Sequence, residues 1–320
     1  MSMLKGAPWL LAHRSMLEVD RPLKVSLYGE DFVIWQDKQR EIYGLSNVCP
    51  HMGAMLSEGW CAKREDGSST VVCPFHALEF DGQGRTILPG SNKKTLPQLE
   101  TLELIIKGDF IWSYGGHEPK IPIPSLLEKI GQEYQLVGAT ADTSVETDLR
   151  SMLSIMHDYN HQNGTHRDLF EITEVRFKKF IDNGYHSEAF FNTPTIPKTF
   201  WQKLKQPNQL LLPDVIEAHL ENYFPSLVVF HGKTFLGKVA QCHFFVPESS
   251  TRTRTYVLLF AKTSNPLAKF LKNQFLDLVG VVIEQDVNIL GKIYANAPKK
   301  IKLNHEVGMD WVDRNFINWD

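Results

Sequence analysis

The sequence predicts an α+β protein: an all-β N-terminal part, a proline-rich seam, and a second part in which a long helix near the C-terminus crosses an antiparallel sheet. Three observations carry this. Short β-rich runs separated by turn residues fill Val25 to Tyr114. Pro119, Pro122 and Pro124 crowd one short stretch, where they remove backbone donors and forbid a continuing helix. After several long β-like runs, Asn265 and Pro266 open a helix-compatible segment with a cap residue followed by proline at the first helical position. With 320 residues the chain exceeds what one core usually organises, about 250–300 residues. The seam divides it into residues 1–117, a linker over 118–130 and residues 131–320.

In the first part the strand signals are Phe32 to Trp35, Ile42 to Val48, Thr70 to Val72 and Leu102 to Ile106. The last should turn at Lys107, Gly108 and Asp109 to meet Phe110 to Trp112 in a tight hairpin. Beyond the seam come a strand-like stretch up to Asp148 and a short helical stretch to about His161. Long β-like runs follow from Ile172 to Lys262, one turning at Asp182, Asn183 and Gly184. The final helix is expected from Asn265 to Asn296 before Pro298, roughly 45 Å at 1.5 Å per residue. A helix across a curved sheet leaves room for a cavity between the two layers.

Composition narrows the function. A content of 42% hydrophobic and 22% charged residues is ordinary for a globular protein, and a net charge of -3 offers nothing to a nucleic-acid backbone. The longest apolar runs, such as Val281 to Ile283 with its flanks, fall far short of the roughly 18 residues that cross a bilayer. The apolar stretch Trp9 to Ala12 is cut short by His13 and Arg14, with no cleavage site after it, so a cytoplasmic location is expected.

Four cysteines are too few for a disulfide framework in a chain of this size, which favours a metal or redox role for some of them. Their setting is Cys49-Pro50-His51 and Cys73-Pro74-Phe75-His76. Thiolates suit iron held by sulfide, and imidazoles on a second iron raise the potential of such a cluster. Each motif can give one ligand to each iron, and zinc is the competing metal. These residues resemble the Rieske family pattern of Cys-x-His followed by Cys-x-x-His, and Ala54, Leu56, Ser57, Gly59, Phe80, Asp81 and Gly84 match around them. Lys63 to Ser69 looks like a surface insertion between the halves, while Ala77 and Leu78 stand where glycine and an aromatic are commoner. Respiratory members carry an extra cysteine in each half; here Ala54 and Phe75 occupy those places, so the resemblance is to the oxygenase and soluble ferredoxin branches. Cys61 and Cys242 read as small buried residues.

The second part contains Asp158-Tyr159-Asn160-His161-Gln162-Asn163-Gly164-Thr165-His166, with a break expected at Asn163 and Gly164. Two histidines with one carboxylate on one face of an iron leave positions open for dioxygen. The carboxylate should come from the long helix. There Asp286 has Val279, Val282, Ile283, Ile289, Leu290 and Ile293 as its helical neighbours and faces inward, whereas Glu284 belongs with solvent. An inward carboxylate needs a proton, a cation or a metal to offset its burial.

This part resembles the catalytic domain of Rieske non-haem iron oxygenases, a helix-grip fold, whose pattern maps onto Asp158, His161, His166 and Asp286. The resemblance implies a [2Fe–2S] cluster on Cys49, His51, Cys73 and His76 and a mononuclear Fe(II) on His161, His166 and Asp286. Asp158 would bridge that iron to the cluster of a neighbouring subunit in a homotrimer. A family asparagine is replaced by Ser154, and His157 reads as a packed polar or supporting residue. The implied activity is oxidation of a small, apolar organic substrate by dioxygen: hydroxylation, demethylation or desaturation. Electrons would come from a separate ferredoxin or reductase, since no Gly-rich dinucleotide fingerprint is present. The rival reading is a Rieske electron-transfer protein whose second domain binds a ligand without oxygen chemistry. Phe190, Phe191, Trp201, Phe224 and Phe230 fall in the segments expected to wall the cavity, where core packing explains them equally well.

Overall fold

The computed structural model describes residues 4–64, 67–88, 94–197, 213–234, 237–263, 271–293 and 300–319. The chain forms two compact units, one of residues up to Ile123 with Val246–Ser250, the other of the remaining residues from Pro124 onward.

The first unit contains strands β1 (Trp9–His13), β2 (Leu23–Leu27), β3 (Glu30–Gln36), β4 (Ile42–Ser46), β5 (Trp60–Lys63), β6 (Ser69–Val72), β7 (Glu79–Asp81), β8 (Arg85–Ile87), β9 (Lys94–Pro97), β10 (Ile105–Lys107) and β11 (Phe110–Ser113). They form three antiparallel sheets, β1-β11-β10, β2-β3-β4 and β5-β6-β7-β8-β9. The hairpin between β10 and β11 turns through Gly108 and Asp109, with Gly108 at φ +61. The expected strand over Leu102 to Ile106 is displaced toward its end. Leu102 and Leu104 instead close over Gly44, where an added Cβ would lie 3.2 Å from each. The Lys63 to Ser69 stretch is the turn joining β5 to β6, closed by Arg64 N–H on the Ser68 carbonyl; residues 65 and 66 lie outside the described residues. The core joins Val33, Trp35, Leu45, Leu56, Val71, Phe80 and Leu99 to Cys49 and Cys73. Each large side chain buried there stabilises the unit by roughly 1.5–3 kcal/mol, so the two cysteines sit on rigid ground.

The second unit adds β12 (Gln135–Ala139), β13 (Thr143–Val145), β14 (Arg176–Asn183), β15 (His186–Pro194), β16 (Val215–Tyr223), β17 (Leu227–Thr234), β18 (Gly237–Ser249) and β19 (Arg252–Lys262). They make one antiparallel sheet in the order β12-β19-β18-β17-β16-β15-β14, with β13 also on β19. Burial alternates along β15 and β16, as a sheet with two different faces requires. The β14–β15 hairpin turns at Gly184, φ +78, and the Asp182 side chain accepts the Gly184 N–H.

Five helices are described: α1 (Leu126–Glu133), α2 (Leu149–Met156), α3 (Arg167–Phe170), α4 (Lys272–Leu290) and α5 (Val307–Ile317). Asp148 caps α2 by accepting the Ser151 N–H. Helix α4 covers one face of the sheet, where Gly138 on β12 leaves room for Leu276. It is shorter than the expected Asn265 to Asn296 helix. Leu271 flanks its start and Gly291 ends it, and Asn265, Pro266, Asn296 and Pro298 lie outside the described residues. Helices α1 and α5 had no counterpart in the sequence reading. The amphipathic α5 buries Trp311, Val312 and Asn315, and pairs with α2 through Arg150 and Asp313 at 2.8 Å.

Candidate metal centres

In the first unit Cys49 and His51 stand on the loop after β4, Cys73 and His76 on the loop between β6 and β7. The loops are built alike. Cys49 N–H donates to the Ala54 carbonyl and Cys73 N–H to the Leu78 carbonyl, both at 2.9 Å. Each cysteine carbonyl then accepts the N–H four residues on, from Gly53 at 2.8 Å and from Ala77 at 3.1 Å. Both of those residues are left-handed, Gly53 at φ +76 and Ala77 at φ +53. The alanine noted as unusual therefore fills a glycine-type conformation. Asn47 braces the first loop by pairing twice with Ser57.

The thiols are buried and the imidazoles exposed. His51 Nδ1 and His76 Nδ1 face each other at 3.2 Å. Burial pushes the Cys49 thiol up, against the lowering pull of the His51 backbone N–H. Sulfur donors thus lie on the protein side and nitrogen donors on the solvent side. That division of donors fits two irons bridged by sulfide better than one zinc.

In the second unit α2 ends at Met156, and a short turn leads through Asp158 to His161 and on to His166. Asp286 reaches them from α4. His161 Nε2 and His166 Nε2 are 3.2 Å apart, and Asp286 Oδ1 lies 3.5 Å from the first and 3.1 Å from the second. Donors sharing one ion at about 2.0–2.2 Å are separated by about 3.0–3.5 Å, so the spacing suits a common metal. Both rings are fixed in the tautomer this needs. His161 donates its Nδ1–H to the Asp158 carbonyl, and His166 donates its own to Gln285 Oε1 at 2.8 Å, leaving both Nε2 lone pairs facing Asp286. Asp286 Oδ1 is buried with no hydrogen-bond partner, a state that costs on the order of several kcal/mol unless a cation meets it. For His166 burial pulls the pKa down, but the Asp286 carboxylate outweighs it and the net shift is upward.

The triad lies at one wall of a cavity of about 370 Å³ lined largely by apolar side chains, among them Met156, Phe170, Leu220, Val228, Phe230 and Val282. Two polar neighbours escaped the sequence reading. Gln285 shares the α4 turn with Asp286, and its role shows only once its partner His166 is placed. His243, from β18, lines the cavity; burial lowers its pKa to about 4, partly opposed by Asp286. His157 points elsewhere, with its ring against Trp311 at 5.3 Å and Nδ1 on the Leu153 carbonyl at 2.7 Å. Asp158 is half-buried and accepts the Asn160 N–H at 3.0 Å through its side chain.

Of the aromatics expected along the cavity, Phe230 lines it. Phe190 lies flat on His219 at 4.3 Å, Phe191 packs on Tyr159, and Phe224 packs among Trp311, Phe316 and Trp319. Trp201 lies outside the described residues.

The Rieske [2Fe-2S] domain family matches residues 8–101. A 4beta-methylsterol monooxygenase from Methylococcus capsulatus is 23% identical over 283 residues, covering 82% of this chain and 71% of that protein. An aminopyrrolnitrin oxygenase from Pseudomonas fluorescens is 30% identical over 132 residues, covering 38% of this chain and only 35% of its own length. A vanillate O-demethylase oxygenase subunit from a Pseudomonas species is 24% identical over 210 residues, 63% of this chain and 57% of that one. In fold, dicamba monooxygenase bound to 3,6-dichlorosalicylic acid superposes with a TM-score of 0.75 at 16% identity, covering 99% of this chain and 97% of that one. The chain thus carries a Rieske [2Fe-2S] domain in its first third and is similar over much of its length to oxygenase components of Rieske non-haem iron systems.

Proposed function

We propose that the chain is the oxygenase component of a Rieske system, oxidising a small apolar organic substrate at a mononuclear iron held by His161, His166 and Asp286. Cys49, His51, Cys73 and His76 hold the [2Fe–2S] cluster in a domain ending near His117, and the catalytic domain begins near Gly131. The observation that carries this is the convergence of two imidazole nitrogens and an unpaired buried carboxylate at the wall of an apolar cavity. When bound, the two cofactors supply single electrons and the reductive activation of dioxygen.

The chain's own groups prepare that chemistry. The Asp158 carbonyl and Gln285 hold the imidazoles with Nε2 forward, and Asp286 supplies one negative charge. Leu220, Val228, Phe230 and Val282 exclude water and present an apolar substrate to the metal face. Relatives named for sterols and ketosteroids, and others named for demethylation and desaturation, support an apolar substrate and leave the outcome open among hydroxylation, demethylation and desaturation. The Asp158 carboxylate, on the turn that bears His161, would link this iron to the cluster of a neighbouring subunit in a homotrimer. A separate ferredoxin or reductase feeds the cluster, in the cytoplasm; none of the described helices is long and apolar enough to cross a membrane.

The test is a panel of sterols, steroids and methoxylated aromatics incubated with the iron-loaded chain, a ferredoxin–reductase pair and labelled dioxygen. Label in an oxidised product, or a substrate-dependent desaturation coupled to dioxygen uptake, is the expected result. Reduction and reoxidation of the cluster with no substrate oxidation across the panel, and no third iron per chain, would return the chain to electron transfer alone.

A further inference from the structure

The opposite face of the catalytic sheet carries a second group of metal-type donors. His219 and Glu221 alternate on β16 and His231 stands directly across from His219 on β17. One donor atom from each lies within 4.8 Å of the other two. On the other side, Glu188 of β15 is directly across from Glu221. We propose that His219, Glu221 and His231 form a binding site for a borderline divalent transition cation of the zinc class, with Glu188 as the fourth donor. This site is independent of the oxygenase reading and separate from the iron triad.

Four features point to a cation there. First, two carboxylates directly opposed on adjacent strands repel each other, and Glu188 and Glu221 are each about three-quarters or more buried, with side-chain exposures of 25% and 17%. Second, His231 Nε2 is shielded from water and lies 3.0 Å from Glu221 Oε1. That separation is close to the distance between two ligands of one ion, which in a tetrahedral site lie about 3.3 Å apart. Third, His219 Nε2 is 2.8 Å from Glu188 Oε2, so the fourth donor already touches the set. Fourth, the outer ends are braced: Tyr223 donates its hydroxyl hydrogen to Glu221 Oε2 at 3.1 Å, and Phe190 stacks on His219. Such support is characteristic of ligands held in place.

Two nitrogens and two carboxylate oxygens match zinc in donor type and number. The group opens on a surface depression of about 460 Å³ that also includes Lys178, Lys233 and Lys238. Those lysines weaken cation binding by repulsion and favour an anionic co-ligand, such as phosphate or a carboxylate, on the bound metal.

The experiment uses the holoprotein with both iron centres filled, exposed to zinc chloride, desalted, and assayed for zinc and iron together. The expected result is one zinc per chain with iron unchanged. The double variant His219→Gln/His231→Gln should lose that zinc, and Glu188→Gln should weaken it about 10- to 100-fold. Cobalt(II) on the unaltered holoprotein gives a reading that needs no variant: intense visible d–d absorption of a tetrahedral site, abolished by competing zinc. The proposal is overturned if zinc enters only as iron leaves, if the double variant retains it, or if cobalt shows only weak octahedral absorption.

Discussion

The two proposed iron centres solve the same problem by different means. In the cluster domain all four donors stand on two short loops, and each loop is closed by its own backbone: the Cys49 and Cys73 peptide groups bond within their own motifs. Each half is thus nearly self-sufficient. In the catalytic domain the donors come from a turn after α2 and from α4, and two are oriented by groups that are not donors, the Asp158 carbonyl and Gln285. A local site is tuned by backbone conformation; a dispersed site depends on how α4 packs on the sheet. Substitutions of similar size should therefore have different consequences in the two.

The largest effect is expected at Asp286. Asp286→Ala removes the one anionic donor and should cut reductant-driven substrate oxidation by about two orders of magnitude or more. The cluster's absorption and paramagnetic spectra should be unchanged, because no cluster ligand depends on α4. A smaller effect follows from Gln285→Leu, which frees His166 Nδ1 and should lower affinity for the mononuclear iron about 10- to 100-fold, measured by chelator competition. Equal loss from the cluster would erase the contrast between the sites.

Acid should act on the catalytic domain through His157, which is not among the proposed donors. Its folded pKa is lowered to about 4 by burial, against an ordinary value near 6.5. Above the ordinary value the histidine is neutral in both folded and unfolded chains and costs nothing. As pH falls from about 6.5 to 4 the unfolded chain binds a proton that the folded one refuses, and stability drops by up to about 1.4 kcal/mol per pH unit. Iron-free protein titrated by denaturant at several pH values should show this slope, reduced in His157→Gln.

The smallest effects concern the cluster loops. Ala77→Gly relieves a left-handed alanine and should stabilise the first unit by about 1 kcal/mol, while Gly53→Ala should cost about the same. No atom lies within 4 Å of a Cβ at Gly53, so that cost is conformational rather than steric. Thermal unfolding of the cluster-loaded protein reads both; opposite signs of similar size would confirm that the two loops are equivalent.

The same contrast explains what was legible in the amino-acid order. The Rieske domain was readable because the Cys-Pro-His and Cys-Pro-Phe-His motifs are contiguous. Asp286 was readable because helical periodicity places it among Val279, Val282 and Leu290, and it is buried while Glu284 is exposed. That periodicity failed at Ile293, 54% exposed, because α4 stops at Leu290. Gln285 carried no signal of its own: a neutral side chain beside the inward residue becomes significant only when His166 is brought to it. Phe190 and Phe191 could not both have lined the cavity, since neighbours on a strand point to opposite faces. Helix α5 spaces Trp311 and Asn315 one turn apart, a pattern too short to stand out before its partner α2 was known.

The central claim is that one polypeptide assembles two separate iron environments, and iron and acid-labile sulfide counted per chain test it most directly. The account predicts about three irons and two sulfides in the unaltered protein, and about two of each in Asp286→Ala. Two irons and two sulfides in both proteins would contradict it.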